Sequence, residues 1–165
     1  MISDRLVWQV NTLRLSRHSR IVAAVLLVAF LAIEYGGYFL VRAVSGQEDL
    51  TGFQLAFSRA GHAHAGVLVT LGLVGLILAD ATRLTGLRGY VARHAVPVGA
   101  LLMAVGFFLS ASDPGATEPN GLIVLVWIGA VSLAVGVVTL AVGLLTAPNE
   151  PTAISEPADR RTSPR

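Results

Sequence analysis

The last apolar stretch of the chain, residues 121–147, reads GLIVLVWIGAVSLAVGVVTLAVGLLTA and contains no charged residue. A helix needs about 20 apolar residues to cross roughly 30 Å of hydrocarbon. Three more apolar stretches precede it, at about residues 21–44, 61–80 and 92–112. None alternates with a period of two, which disfavours strands. The sequence therefore predicts an all-α integral membrane protein, with a four-transmembrane-helix bundle over residues 21–147.

The composition of the whole chain points to the same environment. Of its 165 residues, 54% are hydrophobic and 13% are charged, whereas a soluble domain carries about 25% charged residues. The net charge of +2 is too small for an electrostatic footprint on nucleic acid, so we expect no such partner. The chain has no cysteine, which excludes disulfides, thiolate haem ligation and iron–sulfur clusters. Histidine, carboxylate and tyrosine remain as candidate ligands.

The arginines orient the predicted helices. All but Arg42 and Arg59 lie in the two terminal segments or at residues 83–93, where the second apolar stretch is joined to the third. The positive-inside rule then places both termini in the cytoplasm of a multi-pass protein in a bacterial-type plasma membrane. We expect residues 1–20 to form a cytoplasmic, arginine-rich interfacial segment. Residues 148–165, which are polar and rich in proline, are predicted to be a disordered cytoplasmic tail.

Ionisable side chains in the predicted first helix invite a functional hypothesis. A charged group costs at least about 2.5 kcal/mol at the centre of a membrane helix. Glu34, Tyr38 and Arg42 follow at a spacing of four and so share one helix face, with Tyr35 adjacent. The alternative is structural: Arg42 extends to the headgroups, while Glu34 is protonated or bonded to Tyr38 and joins helices.

A second polar group stands at the predicted start of helix two, where Arg59, Gly61, His62, His64 and Gly66 are interleaved with alanine. Histidine is the commonest metal ligand and binds haem iron. On a regular helix the two histidines are about 200° apart, so both bind one metal only if the turn is irregular. The small residues leave room for a flat macrocycle, or they form a packing seam between helices.

Two further patterns favour structural roles. Gly129, Gly136 and Gly143 recur every seven residues and predict a flat stripe along which another helix packs closely. Asp80 stands three residues before Arg83, a spacing that suits an ion pair on one helix.

The segment Phe57-Ser58-Arg59-Ala60-Gly61-His62, followed by a glycine- and proline-bearing loop at 113–120 before the last helix, resembles the styrene oxide isomerases and their relatives the hydroxylaminobenzene mutases. The resemblance implies a homo-oligomer, a trimer in that family, that holds haem b between subunits. It also implies that His62, or His64 if the motif is shifted, binds an iron that acts as a Lewis acid and opens a small apolar epoxide to an aldehyde. Arg59, Gly61 and Gly66 become expected cofactor neighbours.

The chain also departs from that family. The family has an asparagine six residues after its histidine, where this chain has Leu68 or Thr70. The family's aspartate and tyrosine of helix three are missing as well, so Glu34, Tyr35 and Tyr38 are the expected catalytic replacements. The alternative function is a non-enzymatic membrane subunit. It would bind a copper or zinc ion, or a partner protein, through its cluster of His62, His64 and Glu34.

Overall fold

The computed structural model of the protein describes residues 15–82 and 84–147, and these residues are all-helical. The interfacial segment and tail predicted for the two ends lie largely or wholly outside the described residues. The four main helices are long and apolar enough to cross a membrane, which confirms the predicted number and type of elements. They are α1 (Arg17–Val44), α2 (Gly52–Ala81), α3 (Gly86–Ser110) and α4 (Val124–Thr146), with a 3-10 turn at Gly121–Ile123 before α4.

The second helix begins earlier than its hydropathy predicts, at Gly52 and not near residue 61. Its start is a capping box. The Thr51 hydroxyl accepts the Gln54 backbone N–H at 3.1 Å, and the Gln54 side chain accepts the Thr51 N–H at 3.0 Å. Polar residues after this cap lower the hydropathy without ending the helix. For the same reason α3 begins at Gly86 and not near residue 92, because its first turns carry arginines.

Neighbouring helices pack through glycines, most closely between α3 and α4. A Cβ added at Gly136 would lie 2.7 Å from the Val96 side chain and 2.8 Å from the Val96 backbone nitrogen. A Cβ at Gly129 would lie 2.9 Å from the carbonyl oxygen of Gly99. Gly143 likewise faces Leu84. These contacts confirm the predicted stripe of α4 glycines as the surface against which α3 packs.

The buried core lies mainly between α2 and α3, and α1 is peripheral. Leu76 of α2 and Val96 of α3 are almost completely buried. By contrast, α1 buries only Ser19 and Leu26 among its 28 residues. Leu26 lies against Gly72 of α2, where an added Cβ would be 3.0 Å from its side chain. Much of the surface of α1 is therefore free of contact within one chain.

Polar bonds join three helices at the end of the bundle where α1 begins. The Asp80 carboxylate, at the end of α2, accepts the Ser16 backbone N–H at 2.8 Å and the Arg93 Nε–H at 2.8 Å. Arg93 also donates from Nη1 to the Gly89 carbonyl at 2.8 Å. Arg83, the partner predicted for Asp80, lies outside the described residues. The carboxylate thus connects the start of α1, the end of α2 and the first turns of α3.

The loop between α3 and α4 is fixed to the start of α2 at the opposite end. The buried Gln54 side chain donates from Nε2 to the Ala111 carbonyl at 3.1 Å and to the Asp113 carbonyl at 3.0 Å. The Thr51 hydroxyl donates to the carbonyl of Ala116 in the same loop. These bonds give the buried amide its partners and hold α2, α3 and the loop together.

Candidate functional site

The His62 cleft lies between α1, α2 and α3, has a volume of about 270 Å³ and is open on one side. Among its lining residues in the described part of the chain, His62 has the one titratable side chain. The other walls are alkyl, aromatic or bare backbone. They come from Ala29, Ala32, Ile33 and Gly36 of α1, Ala65 and Val69 of α2, and Leu101, Ala104, Val105, Phe108 and Leu109 of α3.

The imidazole of His62 lies against two consecutive glycines of α1. A Cβ at Gly37 would be 3.2 Å from its Cε1 atom, and a Cβ at Gly36 would be 3.6 Å from its Nδ1 atom. A side chain at either position would press on the ring or cover its nitrogen. The sequence alone did not predict that Gly36 and Gly37 contact His62. The available signal was two glycines inside a helix, where each costs about 1 kcal/mol relative to alanine.

The Nδ1 atom of His62 is buried and has no hydrogen-bond partner among the described residues. A buried polar atom without a partner costs about 1–3 kcal/mol. Folded proteins pair most such atoms, and His62 also lines an apolar cleft, so the residue is a candidate ligand. The nitrogen itself has almost no accessible surface, so the ring must shift before an iron ion or a hydrogen-bond donor on a small molecule can reach it.

His64 faces different surroundings from His62, as a regular helix requires. Its ring centroid lies 5.0 Å from that of Phe107 on α3, and its side chain is exposed. Its Nδ1 atom is 2.8 Å from the carbonyl oxygen of Ala60. Because a carbonyl only accepts, Nδ1 carries the proton of this bond and Nε2 remains available. Within one chain, the two histidines therefore do not converge on one metal ion.

The described residues also contain no group of three or more His, Cys, Asp or Glu side chains placed to hold a metal ion. A protein zinc site normally uses three or four such ligands. A metal bound by the described residues of one chain would therefore need further ligands from a second chain, a cofactor or solvent.

The three expected catalytic residues of α1 lie on its exposed surface. The exposed fraction is 72% for Tyr35 and 58% for Tyr38, and Glu34 is exposed as well. None of the three is among the described residues that line the His62 cleft. The structure therefore does not bring them together with His62 inside the cleft, and their catalytic role stays a prediction.

The expected cofactor neighbours on α2 fall on different surfaces. Gly61 is covered by α3, because a Cβ there would be 2.9 Å from Phe107 and 3.3 Å from Phe108. Gly66 has no atom within 4 Å of an added Cβ, and Arg59 is exposed. The small size of Gly61 thus serves helix packing in this chain. A contact between any of the three residues and a cofactor stays a prediction.

Comparison of the chain with known protein families, curated proteins and solved structures finds no match. The geometry of the cleft and the sequence motif around His62 are therefore the features that point to a function.

Proposed function

We propose that this protein is a membrane-embedded haem b-binding protein that isomerises a small apolar epoxide to a carbonyl compound. The observation that carries the proposal is His62, whose side chain lines an apolar cleft and whose buried Nδ1 atom has no hydrogen-bond partner among the described residues. A neutral imidazole nitrogen is the usual protein ligand of haem iron. His62 is the proposed ligand, because the free Nε2 atom of His64 lies outside the cleft.

The residues around His62 fit one edge of a macrocycle. The cleft walls are rich in alanine and glycine, and they present little side-chain bulk. Its volume of about 270 Å³ is slightly below the range of about 300–1,000 Å³ that is typical of ligand sites. A macrocycle would therefore extend through the open side toward lipid or a neighbouring copy. A macrocycle that reaches a neighbouring copy would require a homo-oligomer. The family resemblance implies that this oligomer is a trimer.

The residues of the cleft would have different roles in such a reaction. When bound, the haem supplies a Lewis acid that polarises the epoxide oxygen. His62 would hold the haem, and the Gly36-Gly37 pair fixes the position of the imidazole ring. The apolar walls exclude water, which would otherwise hydrolyse an opened epoxide to a diol. Glu34, Tyr35 and Tyr38 contribute to substrate orientation only if a neighbouring copy or a bound macrocycle brings the substrate to them.

We further propose that the protein lies in a bacterial-type plasma membrane with both termini in the cytoplasm. The support is the four apolar helices together with the distribution of arginines. In this orientation His62, in the half of α2 nearer its start, lies toward the outer side of the membrane.

The exposed Nε2 atom of His64 favours a second candidate function. A metal-binding histidine normally donates its other ring N–H to a carbonyl or carboxylate, as His64 does toward Ala60. This geometry suits a non-enzymatic subunit that binds copper or zinc, or a partner protein. The remaining ligands would then come from outside the described residues of one chain.

The visible spectrum of protein purified in mild detergent, from cells supplied with haem, tests the main proposal. We expect a Soret band in the wild type, its loss in His62→Ala and its retention in His64→Gln, the matched control two residues away, which keeps a hydrogen-bonding side chain. A colourless wild type, or a band that His64→Gln removes and His62→Ala does not, contradicts the proposal. Metal analysis of the same samples tests the second candidate, which predicts copper or zinc that depends on His64.

Activity is measured on the same preparations with a small aryl epoxide. We expect carbonyl product in proportion to the haem bound. Glu34→Gln should lower turnover without changing the Soret band if Glu34 orients substrate, whereas unchanged turnover would leave Glu34 with a structural role.

A further inference from the structure

The titratable side chains of Glu34 and His64 are exposed on the membrane-spanning part of the protein and are not used inside the cleft. Glu34 is on α1 and His64 is on α2. The ion pairs of the described residues join Arg42 to Glu48 and Arg93 to Asp80, so neither includes Glu34. A charged group in contact with lipid costs at least about 2.5 kcal/mol near the middle of a membrane helix, and a neutral polar group there still lacks the hydrogen bonds that water would give it. Covering Glu34 and His64 with a polar partner would therefore stabilise the protein in the membrane.

Glu34 and His64 lie at the same depth in the bundle. The contacts between α1 and α2 show this, since Leu26 lies opposite Gly72 and Gly36 lies opposite His62. The two helices are thus antiparallel, and a step of two residues back from Gly36 corresponds to a step of two residues forward from His62. That step leads to Glu34 on one helix and to His64 on the other.

Within one chain the two side chains have different neighbours. The imidazole of His62 lies on α1, and His64 is about 200° further around α2, beside Phe107 of α3. His64 therefore points away from α1. The one hydrogen bond that the structure gives its ring is to Ala60, through Nδ1. The available Nε2 atom and the Glu34 carboxyl group are complementary, because one shared proton satisfies both.

We propose that Glu34 of one copy forms a hydrogen bond with His64 of the next copy in a ring whose axis is the membrane normal. Rotation about that axis preserves depth, so two side chains can meet between copies only if they lie at equal depth, as Glu34 and His64 do. The contact is heterologous, since a different surface of each copy takes part. It rests on the proposed homo-oligomer but not on haem. It gives the two histidines separate roles, His62 in the cleft and His64 between copies.

The sparse packing of α1 supports a second copy as the occupant of this surface. Only Ser19 and Leu26 of its 28 residues are buried within the chain. Its exposed residues near Glu34 include Tyr35 and Tyr38, whose ring centroids are 6.4 Å apart. The surface next to His64 is also aromatic, with Phe57 and Phe107 at a centroid distance of 5.6 Å. Aromatic side chains and a single hydrogen-bonded pair suit contact between helices in lipid.

Cysteine cross-linking tests the contact directly, because the chain has no cysteine of its own. In the Glu34→Cys/His64→Cys double variant, oxidation in membranes should produce a ladder of disulfide-linked oligomers that a reductant removes. The matched control is Glu34→Cys/Val74→Cys. Val74 is exposed on the same helix but lies about 15 Å deeper, at 1.5 Å per residue. We expect no ladder from this control or from either single variant.

Three results of the cross-linking would overturn the proposal: no ladder in the double variant, an equal ladder in the Val74 control, or an abundant disulfide-linked dimer in Glu34→Cys alone, which would indicate a symmetric contact. A second measurement uses light scattering of protein in mild detergent. The wild type and Glu34→Gln should have a mass several times the 17.3 kDa of one chain, because glutamine still hydrogen-bonds to Nε2. Glu34→Leu should have a smaller mass, and an unchanged mass would contradict the proposed pair.

The Soret band of the same wild-type preparation separates this inference from the proposed function. A colourless protein that forms the ladder would keep the interface and exclude the proposed haem. A protein with the Soret band but no ladder would support the proposed haem and exclude the proposed contact between Glu34 and His64.

Discussion

Adding one methyl group at Gly136 should destabilise the protein by separating α4 from α3. The new Cβ would lie 2.7 Å from Cγ2 of Val96, 2.8 Å from its backbone nitrogen and 3.0 Å from Cβ of Ala95. Carbon atoms pack best at about 3.5–4.0 Å, so the helices must move apart by roughly 0.7 Å at this level. The clash includes backbone, so a change of rotamer cannot relieve all of it.

Overpacking a core lowers the free energy of unfolding by about 1–3 kcal/mol, and we expect Gly136→Ala to have an effect of this size. Separation would also stretch the hydrogen bond from Ser132 Oγ to the Ala95 carbonyl, which is 2.9 Å long and lies one turn away. The matched control is Gly66→Ala. No atom lies within 4 Å of that Cβ, and alanine is favoured over glycine inside a helix by about 1 kcal/mol. The two variants add the same methyl group with opposite expected signs.

The assay is the temperature at which half of a detergent-solubilised fluorescent fusion is no longer monodisperse. A change of 1 kcal/mol shifts the melting temperature of a chain of this length by about 2–4 °C. We therefore expect Gly136→Ala to melt roughly 2–12 °C below the wild type, from that slope and the cost of overpacking. Gly66→Ala should melt at or above the wild-type temperature. If Gly136→Ala melts no lower than Gly66→Ala, the α4 glycines do not determine the packing of α3.

Two other predictions concern the ends of the bundle. Asp80→Ala should destabilise the fold by about 1.5–3 kcal/mol, because the partly buried Arg93 loses its charged partner. The same substitution at the exposed Asp113 should cost less in the same melting assay, and equal losses would argue against the Asp80 junction. In intact cells an impermeant maleimide should label Thr117→Cys in the α3–α4 loop but should label Thr85→Cys only after lysis. The reverse pattern would invert the proposed topology.

The sequence predicted the helices well in number and less well in extent. Continuous apolar runs identify the parts in hydrocarbon, because the cost of exposing polar groups there is large. They do not identify where a helix continues into the headgroups or water, so the hydropathy begins the second helix near residue 61 although Gln54 and Ser58 also lie in α2. The capping box formed by Thr51 and Gln54 was the local signal that could have corrected the start.

In the candidate site too, features set by one helix could be predicted from the sequence, whereas contacts between helices could not. The divergence of His62 and His64 was predictable, because it depends only on the period of one helix. The contact between His62 and the Gly36-Gly37 pair was not, because it depends on the register of α1 against α2. The bond between Asp80 and Arg93 also joins two helices, so spacing along one helix could not predict it.

The hydrogen bond that joins the start of α1 to Asp80 tolerates mutation at one of its two ends, unlike a bond between two side chains. Ser16 contributes its backbone N–H, which every residue except proline possesses. Position 16 can therefore vary over evolution without removing this bond, although its hydroxyl, which caps α1 at Ser19, is a separate contribution. Position 80 has no such freedom, because only its side chain supplies the acceptor. Among related chains, the acidic residue should persist while the residue that it binds changes.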